Sequence, residues 1–493
     1  KKNYLFPFLV IIILISQISL VVSADEEIDF FDLCKSGSIG EIREAINAGI
    51  DVNHINKAGA TPLMYAAKYN TNPEVIILLR SVGAYINKRD NNGETALFYA
   101  VHNRNINVLQ ALLSLGINVN VSNVNGENAL YSAVKGEKES VVRKLIRYGI
   151  NVNTRDNKGW TPLMYAVVED NLRIARYILD SGAFVDKKNY VGETALMIAA
   201  ADSRISIVEK LLAEGSDLSI RDEKGRTALL HAVRNNRYPG VVELLLKEGA
   251  DLNTTDNMGL NALSYALKEN SSLKIIDILL HNGIRVNQLD IQGLTPLIYA
   301  VKEREEPAII DMLLDAGADV NLKERYKGTS PLMYAVQENR NPEIIYQLLE
   351  AGADPVYRDN QGKRVVDYLE ENEELRGTGI YWELYYLEPD KSRMEFESYK
   401  DTSRAGILAA FIPSSGHYYA GKWSRGSLFL IGELAVLAIG LNQEEESVRN
   451  TYIGVFALLK IWEIRDAVKI TEDYNDFVTD YNENAREYNK QIE

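Results

Sequence analysis

The sequence predicts an all-α repeat protein: a solenoid of about ten helix-turn-helix-hairpin units, followed by a helical membrane hairpin. Three observations predict it. A glycine recurs at Gly49, Gly83, Gly116, Gly149, Gly182, Gly215, Gly249, Gly283, Gly317 and Gly352, at steps of 33 to 35 residues. A phrase that reads Thr, then Pro or Ala, then Leu recurs between those glycines. Near the C-terminus, two apolar stretches flank an acidic link. A fixed period of this length is the signature of stacked supersecondary units. Composition agrees: 46% hydrophobic and 25% charged residues over 493 positions exclude wholesale disorder.

The first 24 residues are expected to be an export signal. Lys1 and Lys2 precede an apolar run from Tyr4 to Val22, and Val22-Ser23-Ala24 offers small residues for cleavage before Asp25-Glu26-Glu27. Basic, apolar and small-residue regions in that order are the parts of a secretory signal. An uncleaved anchor is the competing reading, because the run is long enough to span. Ser16, Gln17 and Ser19 weaken it as a span.

Residues 25–372 carry the repeats. The phrase reads Thr61-Pro62-Leu63-Met64-Tyr65-Ala66 and Thr161-Pro162-Leu163-Met164-Tyr165-Ala166 in its fullest copies. Proline at a first helical position loses no hydrogen bond and presets φ. Leu163 and Ala166, three apart, share a helix face. Leu245-Leu246 and Leu313-Leu314 are expected to bury the second helix, which Gly249 or Gly317 then ends in a left-handed conformation. Asp90-Asn91-Asn92-Gly93 and Asp156-Asn157-Lys158-Gly159 read as turn chemistry at hairpin tips. Arg80 falls where other units carry the second leucine, which leaves the register of that helix open. The ends are atypical, as capping of a stack requires. Leu33-Cys34 replace the small pair of the first helix, and Val365-Val366-Asp367-Tyr368-Leu369 looks like a truncated eleventh unit.

This pattern resembles the ankyrin repeat family: a Thr-Pro-Leu phrase, a Leu-Leu helix, Gly-Ala-Asp-Val-Asn, and a hairpin ending in Gly. The resemblance implies a stack with a concave groove and a protein partner. Tyr65, Tyr99, Tyr165, Tyr265, Tyr299 and Tyr334 recur one residue before the alanine; Ser132, Ile198 and His231 hold that position in other units. Each tyrosine lies two residues after the buried leucine, so it points about 200° away from it. By the resemblance, that face borders the groove. Two readings stand: a ladder on which a partner docks, since tyrosine offers rigid area and a polar tip, or packing against the adjacent unit.

No catalytic, cofactor or metal site is expected. The five histidines lie far apart in sequence, and the single cysteine, Cys34, excludes an internal disulfide and reads as a packed residue. No nucleophile elbow, phosphate loop or dinucleotide fingerprint occurs. The tip aspartates read as turn formers. A formal charge of −15 disfavours nonspecific nucleic-acid binding, which needs Lys and Arg against phosphate.

After a juxtamembrane linker (373–404), with an aromatic run at Ile380–Tyr386, residues 405–468 are expected to form a two-helix membrane hairpin. Gly416, His417, Tyr419, Gly421 and Gly426 precede one apolar stretch; Trp462 and Asp466 close the second. This arrangement resembles the small two-transmembrane hairpin domain family, which implies membrane insertion and no further activity. Glu433 and Lys460 interrupt the two stretches and are expected to pair, because unpaired charges at membrane depth are costly. A buried helical pair in a soluble domain is the competing reading. Lys422, Arg425, Arg465 and Lys469 favour cytoplasmic open ends, whereas the export signal places the solenoid outside. The signal carries more weight, because long domains translocate regardless of charge. Tyr474, Tyr481 and Tyr488 recur every seven residues in the tail (469–493), giving an amphipathic helix that caps the hairpin or pairs with a second copy of the chain.

The expectation is an exported scaffold on the periplasmic side of a bacterial envelope. It would be tethered at the membrane and would bind a protein through its groove and tips. An oligomeric membrane hairpin with a regulatory solenoid, or an enzyme with a site across the repeats, are the alternatives.

Overall fold

Most units open on a threonine that stands, non-helical, just before the first helix; Asn128, Asn261, Ser330 and Arg364 take the place in others. Thr161 has φ −104° and ψ 162°, and its Oγ1 accepts a hydrogen bond from the Met164 N–H at 3.3 Å. Pro162 opens the helix Pro162–Val168, which buries Leu163, Met164, Ala166 and Val167. Thr295 caps Pro296–Glu303 in the same way, at 3.1 Å from the Ile298 N–H. The cap satisfies one of the amides that a helix start leaves without a partner. Several second helices start on asparagine, at Asn72, Asn105, Asn171 and Asn341. Asn171 Oδ1 accepts from the Ile174 N–H, and Leu172–Leu179 then buries Ile174, Ala175, Ile178 and Leu179.

The computed structural model describes residues 30–372, apart from 203–204, 236–238, 270–271, 305 and 339–340, together with 375, 380 and 384. Within 30–372, first helices pack on first helices of neighbouring units and second on second, which makes two layers. Both layers share one continuous core, to which Leu163, Ile178, Leu211, Leu245 and Leu279 belong, each with 2% exposure or less. The expected Leu-Leu burial needs correction: Leu245 and Leu313 are buried, but Leu246 and Leu314 are only half-buried. Arg80 therefore sits in the ordinary register. Its neighbour Leu79 fills the core, and its guanidinium donates to the Ala84 carbonyl at 3.2 Å.

Two asparagine and glycine devices join successive units. The asparagine that ends the Asp-Val-Asn phrase, or Asn151-Val152-Asn153 here, reaches forward: Asn153 donates to the Gly182 carbonyl at 2.9 Å and accepts from the Phe184 N–H at 2.7 Å. Asn321 does the same with Gly352 and Asp354, at 2.9 Å each. At the tips, backbone amides reach backward. Asn157 N–H donates to the Asn125 carbonyl at 2.8 Å, Tyr190 to Lys158 at 3.1 Å and Glu223 to Val191 at 3.1 Å. The expected hairpins are turns rather than paired strands; among the described residues the extended pairing is one isolated bridge, Arg358 with Arg364.

At the first described unit, the helix over residues 30–36 buries Phe30 and Cys34. Cys34 is a free thiol with no exposed surface, and burial pushes it up to about 12. At the far end, Val365–Glu371 supplies a first helix with Val365, Val366, Tyr368 and Leu369 buried. The expected signal (1–24), the membrane hairpin (405–468) with Gly416, His417, Tyr419, Gly421, Gly426, Glu433, Lys460, Trp462 and Asp466, and the tail (469–493) lie outside the described residues, as does the linker apart from 375, 380 and 384. Among the described residues, no helix is long and apolar enough to cross a membrane.

Candidate functional site

The tyrosines and the tip aspartates turn out to be one device. In each regular tip, the aspartate Oδ1 closes its own turn. Asp290 Oδ1 accepts from the N–H of Gln292 at 2.9 Å and of Leu294 at 2.8 Å. Its Oδ2 accepts from the Tyr299 hydroxyl, nine residues on, at 2.7 Å. The same pair recurs as Tyr99 on Asp90, Tyr165 on Asp156, Tyr265 on Asp256 and Tyr368 on Asp359, at 2.7 to 2.8 Å. Tyr65 faces Asn56, whose amide donates to the tyrosine hydroxyl at 3.1 Å. Where the helix position is Ser132 or Ile198, the tip carries Asn123 or Asn189 instead. Asn189 turns its amide to Glu193 at 2.9 Å.

Burial divides the six tyrosines. Tyr265 and Tyr299 are 5% exposed and Tyr334 is 9% exposed, whereas Tyr65, Tyr99 and Tyr165 are half-buried. Two of the half-buried rings touch other aromatics: Phe31 packs edge-on to Tyr65 at 5.0 Å, and Tyr131 edge-on to Tyr165 at 5.6 Å. Lys135 lies 4.4 Å from the Tyr165 ring centroid, a cation–π approach. Desolvation, then the hydrogen bond to aspartate, pushes the hydroxyls of Tyr99, Tyr165, Tyr265 and Tyr299 well above the ordinary phenol value; Tyr368 is pushed up to about 12 for the same reasons. They are fixed donors, with no tendency to ionise near neutral pH.

One unit replaces tyrosine by histidine. His231 is 3% exposed, and its Nε2 lies 3.0 Å from Asp222 Oδ2. Arg226 donates to that same oxygen through Nε at 2.8 Å and through its terminal nitrogen at 2.7 Å. Glu193, Asp222 and His231 each bring one ligand atom within 4.8 Å of the others, a grouping hidden by their separation in sequence. The donor set fits a metal poorly. Arg226 already supplies the cation at Asp222, and an added ion would face its fixed positive charge.

Burial first, and then Arg226, hold His231 below the ordinary histidine value against the pull of Asp222. Desolvation would raise Asp222, but hydrogen bonds from the Arg226 backbone, the guanidinium and His231 outweigh it and hold the carboxylate low. Both depressed values act in one direction. The stability held by a neutral His231 is present above about 6.5, where the unfolded histidine is also neutral, and is lost as pH falls below it. The Asp222 contribution follows at lower pH, lost as pH falls from about 3.9 through the folded value. His231→Tyr is therefore expected to flatten the fall in melting temperature between about pH 7 and pH 5. Parallel curves for the two proteins would rule the histidine out as the cause.

A second feature escaped sequence reasoning. Large apolar side chains stand exposed on successive tips: Met258 at 46%, Ile291 at 47% and Tyr326 at 67%. The signal was present as apolar residues at tip positions, but turn composition alone does not say which way they face.

The family model described as ankyrin repeats (three copies) matches residues 30–123, 118–189, 196–290, 236–324 and 263–359. No curated protein matches. Among solved structures, the chain is similar to the ankyrin repeat domain of Bcl-3, described as a unique member of the IkappaB protein family. That likeness has 28% identity and a TM-score of 0.40, and covers 44% of this chain and 97% of the other. With the family model matching well over half of its length, the chain belongs to the ankyrin repeat family.

Proposed function

We propose that the chain is an exported, membrane-tethered scaffold that captures a protein partner along its tips and groove. One observation carries the binding surface: Met258, Ile291 and Tyr326 stand exposed on three successive tips. Exposed apolar patches of this kind mark interaction sites. The core leaves those three side chains largely in solvent, Tyr326 holding the preceding tip through its hydroxyl alone, whereas it buries Tyr265, Tyr299 and Tyr334. On this reading the ladder contributes contact area through the half-buried Tyr65, Tyr99 and Tyr165. Repeats of this family suggest protein binding rather than catalysis. The apolar run before Ala24 supports export, and the apolar stretches within 405–468 support tethering.

Fractionation followed by crosslinking mass spectrometry tests this. The full chain is expected in a membrane fraction, and removal of residues 405–493 is expected to release it. Met258→Asp with Ile291→Asp is expected to keep the melting temperature and lose the crosslinked partner. Undiminished crosslinking by that folded double variant would refute the tip surface.

A further inference from the structure

The regular tip fails once, between Gly293 and Gly328. Glu324 replaces the aspartate, and the turn to Gly328 is one residue longer than the turn from Asp290 to Gly293. The longer side chain folds back on its own loop. Its two oxygens accept from the N–H groups of Tyr326 at 2.7 Å and Lys327 at 2.8 Å. Tyr334 stands ten residues after Glu324 rather than nine. Its hydroxyl hydrogen-bonds Thr329 instead of the tip carboxylate; burial first, and then the charge of that carboxylate, which still lies near enough, raise it. The tip bond is rerouted as well, with the Tyr326 hydroxyl donating to the Ile291 carbonyl at 3.2 Å.

A cavity of about 220 Å³ opens at this place. Its walls include Tyr334, Thr329 and Tyr368, three lysines (Lys302, Lys327 and Lys363) and one carboxylate, Glu338. Lys302 lies 4.5 Å from the Tyr334 ring centroid and Lys363 lies 5.2 Å from that of Tyr368. Their ion pairs are exchangeable: Lys302 meets Glu338 at 2.9 Å and Lys363 meets Glu371 at 2.7 Å, with both carboxylates exposed to solvent. Exposed pairs of this kind contribute little and give way to a better-placed anion. Lys327 makes no ion pair among the described residues.

We propose that this cavity receives a carboxylate side chain from an acidic segment of the bound protein partner. In five other units an internal aspartate carboxylate occupies the place in front of the tyrosine. Here the carboxylate is turned onto its own loop and makes no bond to the tyrosine, and three ammonium groups line the cavity beside Tyr334. A chain of net charge −15 repels acidic peptides in general, so a local lysine cluster is what would select one. The proposal rests on the scaffold reading and names the chemistry of its partner.

Fluorescence anisotropy of a labelled hexaglutamate peptide, titrated with the full chain, tests it; a hexaglutamine peptide serves as the neutral control. The hexaglutamate is expected to bind and the hexaglutamine is not. Lys327→Glu is expected to weaken binding about tenfold or more, and the exposed Lys247→Glu on a second helix to leave it within about twofold. Replacing the tip 324–328 by the four-residue sequence of Asp290–Gly293 is expected to abolish binding while the melting temperature holds. Equal losses in Lys327→Glu and Lys247→Glu would overturn the proposal, as would absence of peptide binding. Saturable uptake of inorganic phosphate without peptide binding would also overturn it. A chain that still crosslinks its partner yet ignores the peptide removes only the cavity proposal. One that binds the peptide but captures no partner removes only the scaffold reading.

Discussion

Asp290→Ala is expected to destabilise the solenoid by about 3 kcal/mol, Tyr299→Phe by about 1 to 2, and Asp290→Asn by about 1 or less. The order follows from what each change leaves unpaired. Alanine strips the acceptor from the N–H of Gln292 and of Leu294, and from the Tyr299 hydroxyl. Asp290 and Leu294 are both buried, and so is Tyr299, so water does not replace all three bonds. Phenylalanine leaves the turn intact and orphans only the Oδ2 oxygen. Asparagine keeps an acceptor for the turn and presents an amide to the hydroxyl, which is the arrangement that Asn56 and Tyr65 already use at 3.1 Å. Stacked repeats respond locally as well as globally. Hydrogen exchange at the Gln292 and Leu294 amides should therefore be read beside the denaturation midpoint. If asparagine proves as damaging as alanine, the aspartate acts through its charge and not through its hydrogen bonds.

The period, the helix starts and the closing glycines were legible because each is a local device. Thr161 and Pro162 act within one turn, and Gly182 acts at its own φ. The pairing of Tyr299 with Asp290 is present in the sequence only as a spacing of nine residues. Neither residue reveals its partner until the turn has folded back over the helix that follows. From sequence alone the tyrosines read equally as groove-lining or as packing, while the structure commits every hydroxyl with a tip aspartate to a bond inside its unit. His231 escaped for the same reason: its neighbours Glu193 and Asp222 come from two successive tips. The long step of 35 residues between Gly317 and Gly352 was visible. That it turns the tip carboxylate onto its own loop beside a cavity depends on where Glu324 bends, which no local propensity determines.

The largest glycine effect should fall on the tips and spare the helix ends. Gly182 and Gly192 both have positive φ, 84° and 82°, so alanine at either should lose about 1 to 2 kcal/mol of backbone preference. A Cβ at Gly182 would meet nothing within 4 Å. A Cβ at Gly192 would lie 2.7 Å from the Glu223 nitrogen and 2.9 Å from the Asp222 Cα, both backbone atoms of the next tip. To admit it, the two tips must part. That strains the bond from the Glu223 N–H to the Val191 carbonyl and shifts Asp222 away from Arg226 and His231. Gly192→Ala is therefore expected to cost roughly 3 to 4 kcal/mol in total, against about 1 to 2 for Gly182→Ala, measured by denaturation of the full chain. Because the overlap is with backbone, no rotamer change relieves it. Equal costs at the two positions would mean that the tips are free to slide apart. The exposed row from Met258 to Tyr326 would then have no fixed spacing to offer a partner.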